Sequence, residues 1–128
     1  VSPWRTLTFV DVPVLAAVGL LADLEEIGLV ASSESGWAGL SACAGLGACS
    51  RARADVRAAA TRRSLVRTAA SPTEHWSGCE RRCGEPPDAG VRVVASEDGL
   101  IVSAGGAEHT LATPAAALEL LEQVGARA

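Results

Sequence analysis

The chain has 128 residues, a net charge of −4 and few aromatics: three Trp, one Phe and no Tyr. That length supports one domain over residues 1–128, with a modest core of small aliphatic side chains. The apolar run Val12 to Val30 is interrupted by Asp23, Glu25 and Glu26, which argues against a membrane span; Val1 to Pro13 lacks the basic start and cleavage pattern of a leader, so the expected compartment is the cytoplasm.

In chain order, Thr6-Leu7-Thr8-Phe9-Val10 alternates in the manner of a half-buried strand. Asp11 or a neighbour then caps a helix with Pro13 in its first turn, and Val14, Val18, Leu21 and Leu24 recur at helical spacing, as a core-facing stripe would. Gly28 ends it, and Ala31 to Trp37 is loop. Gly39 to Ala42 is a short strand leading into Cys43. Arg51 to Arg67, rich in Ala and Arg, predicts a helix that Ala70-Ser71-Pro72-Thr73 breaks. Val91 to Ala95 and Leu100 to Ser103 flank Asp98-Gly99, a hairpin signal. Thr113-Pro114 opens a last helix with Leu118, Leu121 and Val124 on one face. Strands mixed with helices and a late hairpin give an α+β class, a mixed sheet with packed helices.

All four cysteines fall in two pairs, Cys43-x5-Cys49 and Cys79-x3-Cys83, with 29 residues between the pairs. Four thiolates suit a [4Fe–4S] cluster, one per iron. Gly45, Gly47, Gly78 and Gly84 give the backbone freedom to approach its sulfides. The x3 spacing places Cys79 and Cys83 on one side of a helical turn. Structural zinc is the rival, although paired zinc ligands are typically about two to four residues apart. Disulfides are disfavoured in a reducing compartment. His75 is a ligand, a tetrapyrrole contact or an ordinary strand histidine, the last being the commonest fate. Glu80 is a proton donor or, more simply, a solvated acid. His109 is assigned no role.

Eight of the eleven arginines lie between Arg51 and Arg82 against only Asp55, Glu74 and Glu80, a local charge of +5 in an acidic chain. Arginine forks suit carboxylates and phosphates; a solvated helix face is the plainer reading of the same charges. Nothing in the sequence points to nucleic acid or membrane as a partner.

The pattern Cys43-x5-Cys49 with His75-x-Ser77-Gly78-Cys79-x3-Cys83-Gly84 resembles the iron–sulfur domain of the sulfite and nitrite reductase superfamily. That resemblance implies cluster ligands at Cys43, Cys49, Cys79 and Cys83, with Cys83 bridging to a second iron where one is present. The reductases typically read Cys-Pro-Asn-Ser/Gly-Cys where this chain has Cys79-Glu80-Arg81-Arg82-Cys83. Together with Ser2-Pro3-Trp4-Arg5 and the Cys43–Cys49 segment, this departure looks more like the precorrin-3B synthases of aerobic cobalamin biosynthesis. The resemblance then implies oxygen-dependent hydroxylation and lactone formation on precorrin-3A. It further implies an electron donor, and a missing N-terminal half or partner subunit that completes the pocket. Arg51, Arg53, Arg81 and Arg82 are the expected contacts to the tetrapyrrole's carboxylates. Two alternatives stay open: a sulfite or nitrite reductase fragment carrying sirohaem, and a non-catalytic electron-transfer or zinc-stabilised interaction module.

Overall fold

A computed structural model describes residues 7–125, in two compact units, Val1–Ser32 and Ser33–Ala128. In the first unit the described structure is one helix, α1 (Val14–Glu26). The helix forms where its periodicity predicts. None of its residues is buried, and Val14, Leu15 and Val18 are almost fully exposed. Apolar residues cover most of its circumference, so spacing alone does not single out a packed face. Asp11 has φ 57 and does not cap it; the cap position is Pro13, with no side-chain hydrogen bond. Leu7 to Val10 form no strand, and Thr6 lies outside the described residues.

The second unit is a five-stranded mixed sheet with two helices, an α+β arrangement. Its strands are β1 (Leu40–Ala42), β2 (Glu74–Ser77), β3 (Val91–Ala95), β4 (Leu100–Ala104) and β5 (Ala107–Leu111), neighbours in that order. β1, β2 and β3 run parallel; β3, β4 and β5 form an antiparallel meander around the Asp98-Gly99 and Gly105-Gly106 turns. Parallel neighbours need a crossover. Between β1 and β2 it carries α2 (Val56–Ser64), shorter than the predicted 51–67 because Arg51 to Ala54 are drawn into the first cysteine loop. Asp55 caps α2, accepting from Ala58 N–H at 3.0 Å. The last helix is α3 (Pro114–Gly125), as its sequence predicts.

The core lies between one sheet face and these two helices. Val56, Ala59 and Ala60 of α2 and Ala117 and Leu121 of α3 pack with Trp76, Val91, Val93, Leu100 and Val102. Small helix residues let α2 approach the sheet closely, and Trp76, fully buried, fills the volume they leave.

One polar network sits beside this core. Glu74 is 1% exposed; it accepts from Arg63 Nε at 3.2 Å and Trp76 Nε1 at 2.6 Å, and forms an ion pair with Arg67, whose Nε lies 3.4 Å away without a hydrogen bond. Arg67 also donates to the carbonyls of Gly36 (2.6 Å), Ala38 (3.1 Å) and Pro72 (2.7 Å). Burial pushes the Arg67 guanidinium below its ordinary pKa, and the Glu74 carboxylate opposes that shift. One guanidinium therefore ties the lead-in to β1, the end of α2 and the lead-in to β2. Two of the arginines counted in the basic island are structural. Replacing Glu74 by Gln leaves two buried cations without their anion; urea unfolding should show a loss of about 3–5 kcal/mol.

Candidate cysteine site

Because β1 and β2 are parallel and in register (Ala42 opposite Trp76), the segments that follow them leave the same end of the sheet. Cys43 comes one residue after β1 and Cys79 two residues after β2. This geometry brings together two pairs that are distant in sequence. In open sheets with parallel strands, ligands bind at the carboxyl ends of the strands.

Backbone bonds join the two loops. Cys43 N–H donates to the Trp76 carbonyl at 3.0 Å, continuing the ladder by one rung. Gly78 N–H then donates to Cys43 Sγ at 3.1 Å. Arg53 N–H donates to the Gly78 carbonyl at 2.7 Å, while Leu46 N–H closes the first loop on itself at the Ala54 carbonyl, 3.2 Å away. Inside the first loop, Cys49 N–H returns to the Gly45 carbonyl at 3.0 Å across a left-handed Gly45 (φ 71), a conformation that glycine adopts without penalty.

The second loop departs from the predicted helical turn. Arg82 N–H bonds the Cys79 carbonyl and Glu85 N–H the Arg82 carbonyl, two successive tight turns sharing Arg82. Arg82 itself has φ 50, a left-handed conformation at a residue with a Cβ. The helical i, i+4 relation is lost where the chain reverses direction.

All four cysteines are free thiols, graded from buried Cys43 through partly exposed Cys49 and Cys79 to exposed Cys83. As donor types and loop positions, they fit a thiolate-bound iron–sulfur group: four sulfurs on two loops at one sheet end, with a backbone N–H already on one of them. Among the described residues, however, no three His, Cys, Asp or Glu side chains are grouped closely enough to hold a metal ion. The fit is therefore one of backbone placement and donor chemistry, with the side chains not converged on a common point.

The arginines divide three ways. Arg63 and Arg67 are committed to Glu74. Arg53 pairs with Glu97 at 2.9 Å, and Glu85 takes Arg92 at 3.0 Å and Arg82 at 3.8 Å. Arg51, Arg57, Arg62 and Arg81 are exposed and in no ion pair among the described residues. The Arg53–Glu97 pair is solvent-exposed on both sides, and such pairs contribute about 0–1 kcal/mol, so an incoming anion competes for it readily.

His75 is a buried residue of β2 whose Nδ1 lies 2.7 Å from Ser41 Oγ, which matches its reading as a strand histidine. His109 belongs to β5, opposite Val102. Glu80 is exposed. The sequence reading missed Glu74, which it counted only as an opposing charge. The available signal was Arg63 and Arg67, four residues apart, facing a strand in which Glu74 and Trp76 share one side. It also missed a cleft of about 510 Å³ beside the first cysteine loop, lined among others by Leu46, Arg53, Asp55, Glu97 and Asp98. With three acids against one arginine, this cleft does not attract a polycarboxylate.

Comparison with protein-family models, curated proteins and solved structures finds no match to this chain.

The left-handed turn is directly testable. Asn visits this conformation readily and a β-branched residue resists it. Arg82→Asn should leave the urea midpoint unchanged or slightly raised, while Arg82→Val should cost about 1–2 kcal/mol. The reverse order would mean that residue 82 is not left-handed in solution.

Proposed function

We propose that this chain is the cluster-binding domain of a precorrin-3B synthase, an oxidoreductase that hydroxylates precorrin-3A and closes a lactone on it. Cys43, Cys49, Cys79 and Cys83 would hold a [4Fe–4S] cluster, with a second iron beside Cys83 if that thiolate bridges. The observation that carries the reading is the joining of both cysteine loops at one end of adjacent parallel strands, with Gly78 N–H on Cys43 Sγ. When bound, the cluster supplies one-electron chemistry.

The chain's own residues contribute position and charge. Cys43 is the inner ligand, and Cys83, the most exposed, is the one nearest solvent and so the one that can face a bound macrocycle. Arg51 and Arg81 present guanidinium forks from the two loops that are in no ion pair among the described residues. Arg82 joins them when a ligand carboxylate displaces Glu85, whereas Arg53, held by Glu97 in the acidic cleft, does not. The acidic cleft lies on the Leu46 side of the first loop, so the tetrapyrrole's carboxylates belong with Arg51, Arg81 and Arg82 instead.

Anaerobic purification followed by iron, acid-labile sulfide and zinc analysis tests the cluster. About four irons and four sulfides per chain are expected. Zinc without sulfide would replace the redox reading with a structural module. Affinity for a polycarboxylate tetrapyrrole tests the arginines. Truncating Arg51 and Arg81 together should weaken binding roughly tenfold or more, since hydrogen bonds to charged groups contribute about 1.5–3 kcal/mol each. Unchanged affinity would remove them from the substrate site.

A further inference from the structure

Gly78 stands where the two cysteine loops meet. Its N–H donates to Cys43 Sγ and its carbonyl accepts from Arg53 N–H, so both of its backbone groups point into the first loop. Its φ is not left-handed, so the backbone itself would accept a side chain. The space would not. A Cβ at Gly78 would stand 2.9 Å from the Ala52 Cβ and 3.4 Å from the Gly45 Cα. Neither atom is the flexible end of a long side chain. Glycine is required here by the closeness of the two loops.

We infer that Gly78 is a positioning residue: by docking without a side chain against Ala52 and Gly45, it holds its N–H on the Cys43 sulfur and fixes that thiol as the pre-set inner ligand of the cysteine site. The docking is a property of the folded chain. Its consequence for a bound cluster rests on the function proposed above. A hydrogen bond to a ligating sulfur favours the reduced, more negative state, so its loss shifts the reduction potential downward.

The contact has two sides, which allows a compensating test. Gly78→Ala puts a methyl group into the contact, and Ala52→Gly removes the one it meets. The first measurement is iodoacetamide labelling of the reduced, metal-free full chain, resolved by peptide mass spectrometry. In Gly78→Ala, Cys43 should react roughly tenfold faster, because a buried thiol is alkylated from a locally opened state that the lost contact favours by about one hydrogen bond. Exposed Cys83 should keep its rate. In Ala52→Gly/Gly78→Ala, the Cys43 rate should return close to that of the unaltered chain.

The second measurement is the midpoint potential of protein reconstituted with iron and sulfide. It should be more negative in Gly78→Ala and restored in the double variant. Equal Cys43 rates in the unaltered chain and Gly78→Ala overturn the inference. So does a double variant that fails to restore them, or loss of the cooperative urea transition in Gly78→Ala, which would mean general unfolding. If the unaltered chain binds no cluster, the proposed function fails while the labelling series still decides the role of Gly78.

Discussion

The second unit depends on one carboxylate. Glu74 sits among Arg63, Arg67 and the Trp76 indole at 1% exposure, a place where an unpaired charge would not be tolerated. Its partners come from α2, from the segment after it and from β2 itself, and Arg67 reaches on to Gly36, Ala38 and Pro72. The network therefore ties the approach to β1 and the approach to β2 to the same helix end. An apolar core of Ala and Val specifies distance between layers but little about register, because its side chains are small and alike. The directional bonds to Glu74 supply what that core does not.

Register matters because it sets the cysteine loops. With Ala42 opposite Trp76, Cys43 N–H reaches the Trp76 carbonyl and Gly78 N–H reaches Cys43 Sγ. A slip of one residue would turn Trp76 and Glu74 to the opposite sheet face. It would also carry Gly78 away from the sulfur. The network on one side of β2 and the thiol at its end are thus linked through a strand of four residues, all buried.

Much of the architecture was legible in sequence. The hairpin at Asp98-Gly99, the helix opened by Pro114 and the α+β mixture follow from turn chemistry and periodicity. β2 was harder to read, because Glu74-His75-Trp76-Ser77 is too short and too polar to show alternation, and its strand character comes from pairing on both sides. α1 shows the converse. Periodicity gave the helix, but exposure of Val14, Leu15 and Val18 depends on what surrounds it, which spacing does not encode. At the candidate site, the pairing of Cys43 and Cys49 with Cys79 and Cys83 was visible as a pattern, while the turn at Arg82 was not. Arg has no propensity for a left-handed conformation, and the i, i+4 spacing pointed to a helix. Charge counting overstated the basic surface, since Arg63 and Arg67 look like any others until their depth is known.

The parallel pairing of β1 with β2 also bears on the order of events in folding. Ser41 and His75 touch across 34 positions, and the intervening segment includes α2. Closing a loop of that size before any contact is gained is entropically unfavourable, so non-local strand pairing is slow compared with local helix formation. During synthesis Cys43 and Cys49 emerge well before Cys79 and Cys83. Until Trp76 is seated, the two thiol pairs belong to separate, unconnected segments, and any group that requires all four completes its ligand set only when the sheet has closed.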